Sequence, residues 1–173
     1  MVSQRNRMIL FVHSKANTRG SVVETFERLL LQNKAWAEHK VSADRHFFGR
    51  LSEVQTPDVL WFGCSDSRVP PEIAVNAQPG GIFVHRHIAN LVITTDFNSL
   101  SVLQYAVDVL KVKQVIVGDH HHCGGIRASL KRQNPGLLMV TKWLKHIDGV
   151  IKELTTLGPG CEVPPIYQYD HVA

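Results

Sequence analysis

The sequence contains few cysteines, no long hydrophobic run and no cluster of basic residues. It has three cysteines in 173 residues and no recognisable secretory leader, which argues against a disulfide framework and for a reducing compartment with free thiols. No segment approaches the roughly 20 apolar residues that a membrane-spanning helix requires. The net charge is +4, but Lys and Arg are scattered among acidic residues. We therefore expect neither membrane insertion nor nucleic acid binding.

What the sequence does contain is typical of a soluble globular protein, with 44% hydrophobic and 20% charged residues. The length fits a single domain over residues 1–173, in which residues 1–20 form an N-terminal arm and residues 158–173 an irregular tail. The arm carries basic residues and no acid before Glu24, which faintly resembles a mitochondrial presequence. The alternative is an arm that docks on a partner subunit. We expect a cytoplasmic protein, with a mitochondrial location as the alternative.

Short apolar runs alternate with amphipathic segments along the chain. Ser21 and Glu24 have capping-box spacing and open a helix predicted to end near Lys40. The predicted strands cover residues 58–63, 82–85 and 113–117. Further helices are predicted around residues 47–51, 72–75, 97–110, 124–130 and 140–154, the last ended by glycine and proline at 158–160. Strands that alternate with helices pair in parallel. The predicted fold is therefore α/β, a mainly parallel sheet flanked by helices.

Two segments supply metal ligands directly after predicted strands. Cys-Ser-Asp-Ser-Arg at 64–68 follows the first strand, and His-His-His-Cys-Gly-Gly at 120–125 follows the third. The carboxyl ends of parallel strands form the ligand-binding edge of an open sheet. Cys and His are strong zinc ligands, and three protein ligands leave a fourth position for water, as catalytic sites do. We therefore predict a catalytic zinc site formed by Cys64, His120 and Cys123.

Asp66 and Arg68 lie in the turn that follows Cys64. An adjacent guanidinium keeps a carboxylate ionised and oriented. An ionised Asp66 can accept a hydrogen bond from the proton of a zinc-activated hydroxide and so aim its lone pair at an electrophile, or it can rotate onto the metal and close the site. Taken singly, these residues have ordinary explanations, namely core packing for Cys64 and a local ion pair for Asp66 and Arg68. Their occurrence together at strand ends favours a metal site.

From about Phe47 to Trp143 the sequence resembles the β-class carbonic anhydrases. That family carries Cys-x-Asp-x-Arg followed by His-x-x-Cys-Gly-Gly, and both patterns are present here. The sequence around and between these motifs is also similar to that of family members, at residues 60–63, 69–70, 79–80, 83–86, 89–92 and 101–106. The resemblance implies zinc bound by the three ligands, a dyad of Asp66 and Arg68, and reversible hydration of carbon dioxide to bicarbonate and a proton.

The resemblance also implies a substrate pocket and an oligomer. Gln78 matches a glutamine that binds substrate across a dimer interface, and Val69, Phe83 and Gly124 are assigned to the pocket with it. The family is at least dimeric, so a homodimer or a higher even oligomer is expected.

Bacterial members regulated by bicarbonate use a Trp and an Arg that match Trp61 and Arg86. The tyrosine that completes that regulatory site has no counterpart in its family context here.

The sequence departs from the family at several positions. Asp119 replaces a common glycine, His87 a common asparagine, and His121 and His122 bring additional bases to the rim. From the resemblance we also expect the usual C-terminal strand and helix to be missing, which would expose an unpaired sheet edge that a partner chain or residues 163–172 must cover.

Two other functions stay open. One is a catalytically weak or inactive zinc-binding relative, which includes a truncated product. The other is a hydrolase that acts on a molecule similar to carbon dioxide, such as carbonyl sulfide or carbon disulfide. Ser67 argues modestly against the hydrolase, because some relatives with that activity carry Ala there.

Overall fold

The computed structural model describes residues 19–131, 136–150 and 152. Of these, residues up to Val54 belong to one compact unit and residues from Gln55 onward to a second. The assignment of residues 1–173 to one domain stays a prediction. The tail at 158–173 and nearly all of the arm at 1–20 lie outside the described residues. Within the described residues, no helix is both long and apolar enough to cross a membrane.

The first unit contains two helices, α1 (Arg19–Ala43) and α2 (Phe47–Glu53), as the apolar periodicity predicts. The predicted capping box is wrong, because α1 already includes Arg19 and Ser21 therefore lies inside the helix. Trp36 packs edge-on against Phe48 with ring centroids 5.7 Å apart. The apolar face of α1 leaves Leu29 and Leu30 exposed in this chain.

The second unit is built on a parallel sheet of three strands in the order β2-β1-β3. The strands are β1 (Val59–Cys64), β2 (Ile82–His87) and β3 (Gln114–Val117), each within two residues of its predicted bounds. The central strand β1 buries Leu60 and Phe62 completely or nearly so. An uninterrupted apolar run suits such a strand because neighbouring elements cover both its faces.

Short helices connect and cover the strands. They are α3 (Pro71–Ala74), α4 (Phe97–Gln104), α5 (Gly124–Ser129) and α6 (Leu138–Leu144). Asp96 caps α4 by accepting hydrogen bonds from the backbone N–H groups of Asn98 and Ser99, as predicted. α4 continues as a π-helical turn at Tyr105–Val109, and 3-10 turns follow β2 at Ile88–Asn90 and α6 at Lys145–Ile147. The predicted end of the last helix lies outside the described residues.

Two buried clusters form the core of the second unit. One joins the metal-ligand cysteines to the helices and consists of Cys64, Ala89, Cys123, Leu144 and Ile147. The other lies closer to the amino end of β1 and consists of Leu60, Phe62 and Ala106. The first cluster places the predicted ligands against packed side chains, so the site rests on the core.

The outer strand β3 is paired on one side only within the described part of the chain. Val115 and Val117 on this strand are 46% and 55% exposed. A parallel strand with apolar side chains normally has a neighbour on each side. The exposed edge agrees with the expectation that no further strand covers β3, as far as the described residues extend.

Candidate metal centre

The ends of β1 and β3 bring the three predicted ligands together. Cys64 is the last residue of β1, while His120 and Cys123 lie in the loop between β3 and α5. The two Sγ atoms are 3.8 Å apart, and one ligand atom from each of the three residues lies within 4.8 Å of the others. The loop begins at Gly118, whose N–H donates to the Phe62 carbonyl and so extends the pairing of the strands. Residues 56 positions apart in the sequence therefore share one buried pocket.

The geometry and chemistry of this group fit a zinc ion. Two thiolates on a tetrahedral zinc, each with a Zn–S distance of about 2.3 Å, are separated by about 3.8 Å. The observed Sγ–Sγ distance is the same. His120 Nε2 is buried without a hydrogen-bond partner. Because a buried polar atom normally has a partner, this nitrogen is available as the third ligand.

Neighbouring backbone groups orient the His120 ring. Its Nδ1 atom lies 3.1 Å from the His121 carbonyl, to which an Nδ1–H group donates. The Asp119 carboxylate accepts a hydrogen bond from the backbone N–H of His120 at 2.6 Å. A metal-binding histidine usually donates its second N–H to such an acceptor, which fixes the ring and its tautomer. Asp119 and His121 thus support the ligand, a role that the sequence did not indicate.

The two thiols differ in their protonation. Burial by itself raises the pKa of Cys64, but the adjacent His120 ring and the backbone N–H groups of Asp66 and Ala89 outweigh it and lower the pKa. Burial raises the pKa of Cys123, and the neighbouring Cys64 raises it further. Cys64 is therefore the first of the two to ionise. A divalent metal ion would then favour loss of the second proton, because thiolates are its ligands.

Asp66 is bound to Arg68 beside the ligands. Its Oδ1 accepts from the Arg68 backbone N–H at 3.0 Å and from Nε at 2.9 Å, and its Oδ2 accepts from Nη2 at 2.7 Å. The guanidinium and backbone N–H of Arg68 together hold the pKa of Asp66 well below its ordinary range. Oδ2 also lies 3.9 Å from His120 Nε2. The carboxylate is thus ionised, bound to Arg68 and close to the metal position.

Arginine side chains bind the backbone of both ligand loops. Arg86 donates to the carbonyls of Cys64 and Asp66, while Arg68 Nη2 reaches the His122 carbonyl at 3.3 Å. His122 has a φ of 54°, an unusual conformation for a residue other than glycine. Arg68 therefore connects the loop after β1 to the loop after β3. Sequence reasoning did not find these contacts, because a carbonyl acceptor has no signature in the sequence.

The start of α5 packs tightly against the turn that follows β2. A Cβ atom placed on Gly125 would lie 2.9 Å from both Ala89 Cβ and Ile88 Cγ2. Ala89 is buried and has a φ of 62°, so its own position is constrained. The glycine allows α5, and with it Cys123, to approach the core. At Gly124 the corresponding Cβ would meet nothing within 4 Å.

The four predicted substrate residues do not lie together in this chain. Val69 is close to the dyad, since its N–H donates to the Asp66 carbonyl at 3.3 Å, and Gly124 follows the ligand Cys123 directly. Gln78 is exposed in the turn before β2. Phe83 packs against the second core cluster and pairs in register with Leu60. That register places it about 13 Å along the sheet from the ligand Cys64.

His87 is a part-buried residue whose two ring nitrogens are buried, a placement that the sequence did not indicate. Neither of its ring nitrogens has a hydrogen-bond partner, and its ring lies 5.4 Å from Trp143 and 5.1 Å from His85. Burial is the main cause that lowers its pKa, followed by the charge of His85. His87 pairs in register with Cys64, so it lies at the same level of the sheet as the first ligand.

Taken together, the fold and the site define an α/β protein with a candidate Cys, His, Cys metal centre at the carboxyl edge of a parallel sheet. The family model for carbonic anhydrase matches residues 59–162. A carbonic anhydrase of Emericella nidulans is 43% identical over 138 residues, covering 80% of this chain and 59% of that protein. One of Candida albicans is 43% identical over 124 residues, covering 71% of this chain and 43% of that protein.

Solved structures agree with the sequence relatives. In the crystal structures of two tetrameric β-carbonic anhydrases from Sordaria macrospora, a chain with 41% identity matches with a TM-score of 0.73, covering 77% of this chain and 67% of that one. The β-carbonic anhydrase of Coccomyxa, solved with acetazolamide, matches at 34% identity with a TM-score of 0.70, covering 77% of this chain and 60% of that one. The chain belongs to the carbonic anhydrase family, in its β class. It spans about six tenths of the length of its Emericella relative.

Proposed function

We propose that this protein catalyses the zinc-dependent, reversible hydration of carbon dioxide to bicarbonate and a proton. The observation that carries the proposal is the position of the Asp66 carboxylate. It is bound to Arg68 on one side, and its Oδ2 lies 3.9 Å from the metal-facing nitrogen of His120 on the other. A zinc site with three protein ligands next to an oriented carboxylate would supply and aim the nucleophile that this reaction needs.

Cys64, His120 and Cys123 would hold the zinc. A zinc ion with three such ligands lowers the pKa of water to about 7 and so supplies hydroxide at neutral pH. The protein's own part is to orient the nucleophile. With zinc bound, the ionised Asp66 would accept a hydrogen bond through Oδ2 from the nucleophile that the metal supplies and would so orient that nucleophile toward the carbon of the substrate.

Arg68 keeps that carboxylate in place. It holds Asp66 through both oxygens, so rotation of the carboxylate onto the metal would break a bidentate, charge-assisted pair. Arg68 is itself largely exposed, with 61% of its side chain accessible, so water can reach the outer side of the pair. A cleft next to the site is lined by His121, His122 and Arg127 as well as by two of the ligands. We propose that carbon dioxide enters from this side.

The remaining expectations form part of the same proposal. Val69 and Gly124 adjoin the dyad and the ligand loop, and they are proposed to contact substrate directly. Gln78 and Phe83 lie elsewhere in the chain and are proposed to act across an interface between subunits.

The exposed Leu29 and Leu30 of α1 support a homodimer or a higher even oligomer. We propose a cytoplasmic location, and imaging of the tagged full-length chain in cells would distinguish it from a mitochondrial one.

Metal analysis combined with stopped-flow measurement of carbon dioxide hydration tests the proposal. We expect one zinc per chain and a rate that is lost on chelation and restored by added zinc. Stoichiometric zinc with a rate equal to that of buffer would instead support the catalytically inactive relative. Sulfide release from carbonyl sulfide at a higher kcat/KM than carbon dioxide hydration would support the hydrolase.

A further inference from the structure

We infer that Arg86 is a positioning residue, which fixes the turn carrying both Cys64 and Asp66 by donating to two backbone carbonyls of that turn. The inference rests on the proposed function, because it assigns to Arg86 the placement of a metal ligand and of the catalytic carboxylate. Arg86 belongs to β2 and pairs in register with Gly63, directly before Cys64. Its side chain therefore starts next to the point where β1 ends.

The guanidinium spans the turn. Nε donates to the Cys64 carbonyl at 2.8 Å, and Nη2 donates to the Asp66 carbonyl at 2.5 Å. A planar guanidinium presents these donors in a fixed fork, and hydrogen bonds from a charged donor are stronger than neutral ones. The two acceptors are separated by Ser65 alone. One side chain thus sets the orientation of the peptide group between Cys64 and Ser65 and of the one between Asp66 and Ser67.

The turn has little other backbone support. The N–H of Ser65 donates to the His87 carbonyl at 2.9 Å, which is the last bond of the β1–β2 ladder. Beyond it, the Val69 N–H donates to the Asp66 carbonyl at 3.3 Å, and this is a long hydrogen bond. Arg86 is part-buried, whereas Arg68 is mostly exposed. Asp66 is therefore held at its carboxylate by an exposed arginine and at its carbonyl by a more buried one.

These contacts also bear on a different role for Arg86. In relatives regulated by bicarbonate, the matching arginine takes part in binding that anion. Here two of its donor groups, Nε and Nη2, are directed to carbonyl oxygens. A residue that serves through its charge can be replaced by lysine, whereas a fork that binds two carbonyls cannot. Arg86→Lys therefore separates the two roles.

The experiment compares the wild-type protein with Arg86→Lys and Arg86→Gln. Lys113→Gln is the matched control, because Lys113 is an exposed cation of the same unit that pairs with Asp58 at 2.9 Å. Each protein is loaded with Co²⁺, and we record the Co²⁺ dissociation constant, the thiolate-to-cobalt charge-transfer band and the kcat/KM for carbon dioxide. Loss of a residue that supports a metal ligand costs about 10–100-fold in metal affinity or activity. We expect losses of that size and a shifted band in both Arg86 variants, and no change in the control.

The result that would overturn the inference is a lysine variant with the band, the affinity and the kcat/KM of the wild type. Loss of a bicarbonate-dependent response in Arg86→Gln but not in Arg86→Lys, with an unchanged band in both variants, would also overturn it and indicate an anion site. If the wild type binds Co²⁺ without hydrating carbon dioxide, the proposed function fails, while the band and the affinity still test Arg86. If the variants do not fold, exchange of the Arg86 Nε–H in the wild type decides by NMR. Slow exchange supports the inference, and free exchange contradicts it.

Discussion

Asp66 and Arg68 form a bidentate ion pair, in which both carboxylate oxygens of Asp66 accept hydrogen bonds from the Arg68 guanidinium. The Oδ2–Nη2 distance is 2.7 Å and the Oδ1–Nε distance is 2.9 Å, with a further bond from the Arg68 backbone. This bidentate geometry leaves the carboxylate ionised, since the hydrogen bonds of Arg68 depress the pKa of Asp66 and raise that of Arg68. The state that the proposed reaction needs is therefore present before any substrate arrives.

Asp66→Asn should lower kcat/KM for carbon dioxide by about 10²–10⁴-fold, the usual contribution of a positioned acid–base group. Asparagine has the same shape as aspartate, but it is uncharged and has only one oxygen that can accept hydrogen bonds. Zinc content should stay at one per chain, because Asp66 is not one of the three ligands. Asp58→Asn is the matched control, since this exposed aspartate pairs with Lys113 away from the ligands. Stopped-flow rates on zinc-loaded proteins give the comparison, and full activity in Asp66→Asn would contradict the role of the carboxylate.

Zinc should stabilise the folded protein. A ligand that binds only the native state, at a free concentration about 100 times its dissociation constant, adds about 2.7 kcal/mol to the free energy of unfolding. Calorimetry should therefore show a higher Tm with zinc than with a chelator. Cys123→Ala removes one of the three ligands and should abolish most of this difference. A zinc-dependent increase of equal size in that variant would show that the ion binds elsewhere.

The sequence was sufficient to predict the sheet and the grouping of Cys64, His120 and Cys123 at its edge. Uninterrupted apolar runs at 59–62 and 115–117 have the length of buried strands, and each is followed closely by residues whose chemistry is specific to metals. Because parallel strands place their carboxyl ends on one edge, Cys64 and Cys123 were expected to meet, and their sulfurs are 3.8 Å apart. The ligand types and the topology both favour the same site.

The supporting contacts could not be predicted in this way. Arg86 binds two carbonyls, and His120 Nδ1 binds a third, but every residue has a carbonyl and no sequence pattern tells which one is free. The capping box at Ser21 failed because its spacing is local, whereas the helix that contains it includes Arg19. Phe83 was assigned to the pocket by resemblance, yet within this chain it packs in the core beside Leu60.

Gly125→Ala should destabilise the protein by about 1–3 kcal/mol, the typical cost of an added methyl group in a well-packed region. The new Cβ would lie 2.9 Å from Ala89 Cβ and from Ile88 Cγ2, and these atoms sit on a turn with positive φ angles that has little freedom to move. Gly124→Ala is the matched control in the same helix, because its Cβ would meet nothing within 4 Å. Urea unfolding of both variants measures the difference. Equal midpoints would show that the turn yields to the methyl group.

His87 should make the protein less stable at acidic pH. Burial lowers the pKa of this histidine in the folded state, with a further lowering from His85 and an opposing effect of Asp96. As the pH falls through about 6.5, the ordinary pKa of histidine, the unfolded chain therefore binds a proton more readily than the folded one. Protonation of His87 therefore does not affect the free energy of unfolding from neutral pH upward. Below neutral pH it lowers the free energy of unfolding increasingly. Asparagine does not titrate, so His87→Asn removes the effect.

The pH dependence of urea unfolding for wild type and His87→Asn tests this assignment. The urea midpoint of the variant minus that of the wild type should increase as the pH is lowered from 7.5 to 5.5. Taking this difference removes the effects of zinc release that both proteins share. His146→Asn is the control, because His146 is exposed and contacts the same Trp143 at a ring distance of 6.1 Å. This variant measures the effect of removing an imidazole that contacts Trp143. Parallel midpoint curves for His87→Asn and wild type would mean that the buried ring gains a partner when protonated, so that burial does not control its titration.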